Sequence, residues 1–407
     1  MQRSVYMSAE VSRLHAEWDA ISVQESTQRA GFKWEPYRGT DLIPAWVADM
    51  DIPASRPIAD AIVEFYARGD LGYFDETIFD RAKEVCAERF GSKYGWTFPV
   101  ENVELVSDTV QSLHLMVQHY SHPGDHVAII TPVYHHFYNA VIENGRIPVN
   151  IPLRSDGAGY SLDPDAIRKA LADERVKLLL LCHPHNPTGK VFTPAELQMI
   201  GDAAAAAGVT VISDEIHADI TFGEQSFVPF ALAARETGAV TVTLTSAGKA
   251  FNIAGTHLGF IIYSHPEIRR QGPRFPSRAL GKPGIAGCLA TITAWTSQET
   301  WLDAAVTYLK RNRDTLDQAL QGAAIDFIPP QATYLAWLDL REFSDDARGF
   351  LIENARIVTN SGSDFSWPRG TGGSFARLNF AVPRALMSEI TERLVAALTS
   401  DRARRGE

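Results

Sequence analysis

"VKLLLLCHPHNPTGKVFTPAELQMIGDAAAAAGVTVISD", residues 176–214, reads as a strand, a helix and a second strand. The runs "VKLLLLC" and "VTVISD" are short, apolar and bounded by turn residues. Such runs predict strands buried on both faces, the pattern of a parallel sheet covered by helices. Between them Thr193 predicts an N-cap, with Pro194 in the first turn and Glu196 closing a capping box. Gly208 is the expected stop. The same alternation extends outward. "NVELVS", the helical "TVQSLHLMVQHY", "HVAIIT" and the helical "FYNAVIENG" precede the unit, and "AVTVTLTS" and "LGFIIYS" follow it. Residues 50–290 therefore predict one multi-stranded α/β layer domain. After about residue 295 the long helical "ETWLDAAVTYLKRNRDTLDQAL" leads to "TYLAWLDLRE", a further helix and "SFARLNFAV", an α+β lobe. The expected division is an N-terminal arm with part of a small domain (1–48), a large domain (49–293) and a C-terminal small α+β domain (294–407).

Composition narrows the partners. The 407 residues are 45% hydrophobic and 21% charged, ordinary for a globular protein. A formal net charge of −11 argues against nucleic acid, and the basic tail "DRARRGE" reads as a frayed end. No run approaches the roughly 18–20 apolar residues of a membrane span, and the N-terminus lacks a signal-peptide pattern. Cys86, Cys182 and Cys288 are odd in number and widely spaced, which suits a reducing cytoplasm and suggests no disulfide framework.

Ligands of open α/β sheets sit at the carboxyl ends of the strands, and those ends carry unusual chemistry here. Tyr134 follows "HVAIIT", Asn186 follows "LLLLC", Asp214 ends "VTVISD", and Ser246 and Lys249 follow "VTLT". Lys249 is the only charge in "TLTSAGKAFNIAG", residues 243–255. Desolvation there would lower its pKa and make it a nucleophile; a lone lysine, though, more often snorkels to solvent. An acid, an amide, an aromatic ring and a lysine on one edge are what a pyridine cofactor needs: a carboxylate for the ring nitrogen, an amide for the ring hydroxyl, an aromatic to stack and a lysine for a Schiff base.

"HNPTGK", "SDEIHAD" and "SAGKAFNIAG", in this order, resemble the fold-type I pyridoxal-phosphate enzymes of the aminotransferase superfamily, most closely the cystathionine β-lyase (C–S lyase) subgroup. "WVADMD" (46–51), "GY" (72–73), "TPVYHHF", "ISDEIHADITFGEQ", "TYLAWLDLRE" and "FARLNFAVPR" extend the resemblance over nearly the whole chain. It implies a large domain with a mostly parallel sheet flanked by helices, a smaller α+β domain, and pyridoxal 5'-phosphate as cofactor. Lys249 would form the Schiff base, Asp214 partner the pyridine nitrogen, Asn186 bond the ring oxygen and Tyr134 stack on the ring. Ser246 and the N–H groups of Thr109 and Val110 would hold the phosphate at a helix N-terminus. His217 would lie near the cofactor, in a supporting hydrogen-bond role. Tyr73 resembles a tyrosine that reaches the phosphate of a neighbouring subunit, implying a homodimer. Arg377 resembles the arginine that grips the α-carboxylate of an amino-acid substrate.

Departures from that pattern concern the phosphate and the substrate. His257 stands where aspartate-type aminotransferases place a phosphate-binding arginine, which favours the lyase subgroup. Gly248 replaces a common hydroxyl residue, and Asp108 beside the phosphate helix reads as an N-cap facing sideways. "GTHLGF" and "SWPRGTGGSF" are unlike the usual members. His183 and His185 read as hydrogen-bonding groups rather than metal ligands. His135 and His136 could line the substrate pocket or be surface residues, Trp46 and Asp49 could border the site, and "GFKWEPY" could be an interface arm. The expected activity is β-elimination from cystathionine or another L-cysteine S-conjugate. The alternative is an aminotransferase or a specialised tailoring enzyme; a cofactor-binding regulator is a third reading, against which the complete lysine-centred set argues.

Overall fold

The computed structural model describes residues 8–405 except 70, 224, 272–281, 322, 324 and 326; part of residues 256–285, which follow the Lys249 motif and diverge from the usual members, and the last two residues of the basic tail thus lie outside the described residues. The main sheet has seven strands: β1 Val103–Val106, β2 His126–Thr131, β3 Ile147–Pro152, β4 Val176–Cys182, β5 Thr210–Asp214, β6 Thr241–Thr245 and β7 Gly259–Tyr263. Their spatial order is β1-β7-β6-β5-β4-β2-β3. The strands from β3 across to β6 pair in parallel, while β7 runs antiparallel to both β6 and β1.

Two features depart from the sequence reading. "LGFIIYS" is the antiparallel strand because residues 246–258, which connect it to β6, contain only a 3₁₀ turn at Ala254–Thr256. A parallel return needs a crossover, usually a helix, long enough to carry the chain back to the other edge. The edge strand β3, "IPVNIP", lacks a strand signature, since Pro148 and Pro152 interrupt it; proline is tolerated at a sheet edge, where one side needs no donor.

The quoted unit folds as expected. Leu178, Leu179, Leu180 and Leu181 are fully buried, alternating between the apolar layers on the two sheet faces. The intervening helix spans Pro194–Ala207, with a reciprocal capping box between Thr193 and Glu196. Gly208 ends it at φ 66°, a left-handed conformation that suits glycine.

A second core joins the two ends of the chain. Val11, Leu14 and Trp18 of the helix Ala9–Asp19 pack with Trp301, Tyr308 and Leu309 of the helix Glu299–Gln321. Ile43–Pro44 pairs in parallel with Ile357–Val358. The same lobe holds an antiparallel sheet of β8 Leu335–Asp339, β9 Asn360–Ser361 and β10 Phe375–Asn379, in the order β8-β10-β9. The helix Ile285–Ser297 runs across residues 293–294, where the large and small domains were expected to divide. "GFKWEPY" folds back on its own chain: Lys33 pairs with Asp51 at 2.8 Å and Trp34 Nε1 donates to the same carboxylate, leaving Phe32 exposed. No described helix is long and apolar enough to cross a membrane.

Candidate active site

Sheet register sets the site. Cys182 lies opposite Asp214, and Asp214 opposite Leu244, so the ends of β4, β5 and β6 are level. Asp214 at the end of β5 and, just beyond β4 and β6, Asn186 and Lys249 therefore share one edge. Tyr134, beyond β2, joins this group through its backbone N–H, which donates to the Asn186 carbonyl at 3.2 Å. The small lobe contributes Arg377 from the middle of β10. Its Nη1 donates to Asn186 Oδ1 at 3.0 Å, and its Nη2 to the Trp46 carbonyl at 3.0 Å and Asn360 Oδ1 at 2.7 Å. The guanidinium lies 4.9 Å from the Phe365 ring centroid and 5.9 Å from that of Tyr134. Burial lowers its pKa to about 10, so it stays cationic at neutral pH.

Lys249 Nζ donates to the Ala48 carbonyl at 2.8 Å. Burial lowers its amine from an ordinary 10.5 to about 8, opposed by the nearby Asp49 and Asp214 carboxylates and reinforced by Arg377. Asp214 is 5% exposed, and one of its oxygens accepts the Ile216 N–H at 3.2 Å. Burial raises its carboxyl from an ordinary 3.8 to about 7, against the pull of that N–H and of Lys249. His217 is buried with Nδ1 unpartnered, edge-on to Tyr334 at 6.3 Å, and burial pulls its pKa down to about 3. It is neutral and makes no supporting bond at Nδ1. His183 and His185 do make such bonds, to the Val228 carbonyl and to Thr188 Oγ1.

The expected phosphate residues gather at the neighbouring strand ends. Thr109 and Val110 open the helix Thr109–Tyr120, capped by Asp108, whose Oδ1 accepts the Gln111 N–H at 2.7 Å. Asp108 is thus the N-cap expected of it. His257 adopts φ 56° and places Nδ1 4.0 Å from Asp108 Oδ2. Ser246 Oγ donates to the Leu258 carbonyl and accepts the Gly248 N–H at 2.9 Å. A Cβ on Gly248 would lie 3.1 Å from Ser246 Oγ and 3.2 Å from Ala254 Cα, so this turn leaves little room for the missing hydroxyl side chain. The loop "SWPRGTGGSF" lies against the large lobe, with Arg369 on Asn139 and the Trp367 carbonyl on Asn150. Tyr73 does not join the site within this chain; its side chain is fully exposed.

Tyr334, Asn360 and the carbonyls of Trp46 and Ala48 received no role from the sequence. Tyr334 Oη donates to the Ala48 carbonyl at 3.0 Å, the oxygen that Lys249 also uses. Backbone carbonyls carry no sequence signature, and a tyrosine next to an apolar strand run reads as core.

The aminotransferase class I and II model matches residues 52–394. The chain belongs to the class I and II aminotransferase family. It is 31% identical to the cystathionine β-lyase PatB of Bacillus subtilis, over 90% of this chain and 96% of that protein. A pyridoxal-phosphate-bound C–S lyase from Staphylococcus hominis superposes with TM-score 0.83 at 31% identity, covering 94% of this chain and 97% of that one. Cystalysin from Treponema denticola, crystallised with pyridoxal 5'-phosphate, gives TM-score 0.86 at 27% identity over 93% and 98%. Within its family the chain is a fold-type I pyridoxal-phosphate enzyme of the C–S lyase group.

The residues fit that cofactor. A buried carboxyl with one N–H partner and an unpartnered imidazole nitrogen flank the lysine, and a protonated ring nitrogen is the cationic partner Asp214 lacks. This predicts a pH effect on the cofactor-free chain. Unfolded Asp214 releases its proton near 3.8, whereas the folded residue holds it to about 7. Between those values the native state binds more protons, so stability falls as pH rises. The Tm of the cofactor-free protein contains this fall, Asp214→Asn lacks it, and loading with pyridoxal phosphate reduces it. Identical Tm–pH curves for the two cofactor-free proteins would refute the assignment.

Proposed function

We propose that this protein is a carbon–sulfur β-lyase acting on cystathionine or another L-cysteine S-conjugate, which with water yields a thiol, pyruvate and ammonia. The observation that carries the reading is the meeting of a lysine of lowered pKa, a buried carboxyl and a buried arginine at one strand edge in a chain of the C–S lyase group. When bound, pyridoxal phosphate supplies an electron-withdrawing ring that accepts the electron pair left at the substrate α-carbon. In this reading Asp214 would hold the ring nitrogen protonated, Tyr134 would stack on the ring and Asn186 would donate to the ring oxygen while its Oδ1 keeps Arg377. Ser246 and the first N–H groups of the Thr109 helix hold the phosphate, aided by the helix dipole. His217 presents its neutral ring beside Lys249. Arg377 orients the α-carboxylate. Lys249 Nζ takes the α-proton, its lowered pKa leaving part of it as free base near neutrality. A thiolate on the β-carbon then leaves. In the same reading residues 49–293 carry the cofactor, and 1–48 with 294–407 form the lobe that closes over the substrate.

The test is an end-point assay of pyridoxal-phosphate-loaded protein with L-cystathionine, following thiol and pyruvate together. Equal amounts of both support β-elimination. No pyruvate, with the cofactor absorbance drifting to the amine form, would mean transamination instead.

The proposed working unit is a homodimer in a reducing compartment such as the cytoplasm. Tyr73 projects fully into solvent, as do much of Val63 and Leu71, and the three cysteines are buried and unbridged. In this reading Tyr73 completes the phosphate site of a second copy. Mixing inactive Tyr73→Ala and Lys249→Ala chains then restores activity, because each mixed dimer has one site with both residues intact. Unfolding and refolding the two together without any recovery would rule out the shared site.

A further inference from the structure

Segment 45–52, which contains "WVADMD", is stitched into the site by its own backbone. The Trp46 carbonyl accepts from Arg377 and the Ala48 carbonyl from Lys249 and Tyr334. The intervening Val47 carbonyl and the following Asp49 carbonyl both accept from one side-chain amide, Asn379 Nδ2, at 2.5 and 2.7 Å. Asn379 is fully buried, its Oδ1 accepts the Ala381 N–H at 2.7 Å, and its backbone N–H donates to the Ala45 carbonyl at 2.8 Å. A second asparagine holds the other end: Asn252 Oδ1 accepts the Met50 N–H, and Nδ2 donates to the Met50 and Ile52 carbonyls. Asn379 stands two residues after Arg377, and Asn252 three after Lys249.

We propose that Asn379, through this strap, is a positioning residue that sets Lys249 Nζ and the Arg377 guanidinium relative to each other, so that a carboxylate arriving at Arg377 shifts the carbonyl that Lys249 contacts whenever its amine is free. This rests on the functional reading above. The donors of Arg377 explain the coupling. Nη2 serves Trp46 and Asn360, Nη1 serves Asn186, and Nε is buried and unpartnered. Bidentate pairing uses Nη2 together with Nε or Nη1, so a carboxylate must displace or share an existing contact. The Trp46 carbonyl is the one Nη2 acceptor on the strap, and two residues on lies the carbonyl that holds Lys249.

Asn379→Ala removes both ties while leaving every group that would touch substrate or cofactor. The charged and titratable groups around the lysine are Asp49, Asp214, His217, Tyr334 and Arg377, and all remain. The experiment loads wild type and variant with pyridoxal phosphate. It then titrates the cofactor absorbance against pH and measures kcat and KM with L-cystathionine. The expected result is a displaced titration midpoint, a raised KM and a kcat/KM lower by on the order of 100-fold, the cost of about an ångström of misplacement. A folded variant that keeps the wild-type midpoint and KM would overturn the proposal, whatever its Tm, because a merely structural tie moves neither. Should Asn379→Ala fail to fold, Asn252→Ala cuts the opposite end of the strap and is judged by the same readouts. The spectral midpoint is independent of whether the reaction is elimination or transfer, so the proposal survives a failed lyase assay. A wild-type chain that takes up no cofactor sinks both readings.

Discussion

Lys249→Ala should eliminate turnover of L-cystathionine, lowering kcat/KM by at least about 10⁴-fold, because in the proposed mechanism one amine serves as both anchor and base. Its surroundings make it suited to those tasks. The amine contacts a carbonyl rather than forming a tight ion pair, and burial brings its pKa to about 8. An ordinary exposed lysine would be almost wholly protonated at neutral pH. The variant should still fold, since among the described residues the Lys249 side chain makes a single hydrogen bond, to the Ala48 carbonyl, and it should still bind pyridoxal phosphate through Asp214, Asn186 and the phosphate residues. Borohydride should fix the cofactor to the wild-type chain at residue 249 and leave it removable from the variant. Added small primary amines should recover part of the α-proton abstraction. A Lys249→Ala protein that retains more than a few per cent of the activity would exclude this lysine as the base.

Arg377→Ala carries the second large effect. A bidentate arginine–carboxylate pair consists of two charge-assisted hydrogen bonds, each worth about 1.5–3 kcal/mol. Their loss corresponds to a fall in kcat/KM on the order of 10²–10⁴-fold, chiefly through KM. Arg377→Lys should recover little of it. A lysine keeps the charge but not the fork that reaches Asn186, Trp46 and Asn360 together. The specific check is a substrate analogue without the α-carboxylate. Wild type should discriminate strongly against it, whereas Arg377→Ala should treat it and the amino acid nearly alike. Unchanged discrimination in the variant would place carboxylate recognition elsewhere.

How much of this was legible in the sequence depended on the range of the interactions involved. The strand–helix–strand unit at 176–214 was legible because its determinants are local: a run of buried leucines, a capping box and a terminal glycine. The direction of β7 was not. It depends on the 3₁₀ turn between residues 246 and 258 bringing the chain back at the same edge, and the apolar run "LGFIIYS" is the same in either direction. The strand β3 escaped notice because its prolines are acceptable only at an edge, and edge position is a property of the assembled sheet.

The site divides in the same way. Lys249, Asp214 and Asn186 announce themselves as polar residues at the ends of strand-like runs, and their motifs carry the family resemblance over nearly the whole chain. Tyr334, Asn360, Asn379 and the carbonyls of residues 46–49 are silent in sequence, since their roles exist only once three distant segments meet. Hence the sequence by itself determined the α/β class, which follows from local pattern, and through its family resemblance the cofactor and the candidate reacting groups, whose residue types and motifs are local. The tertiary structure alone decided what each group contacts. Sheet register levels Asn186, Asp214 and Lys249, and the packing of the small lobe brings Arg377 to Asn186. Burial, which only the assembled fold creates, pushes the lysine and the aspartate towards neutrality.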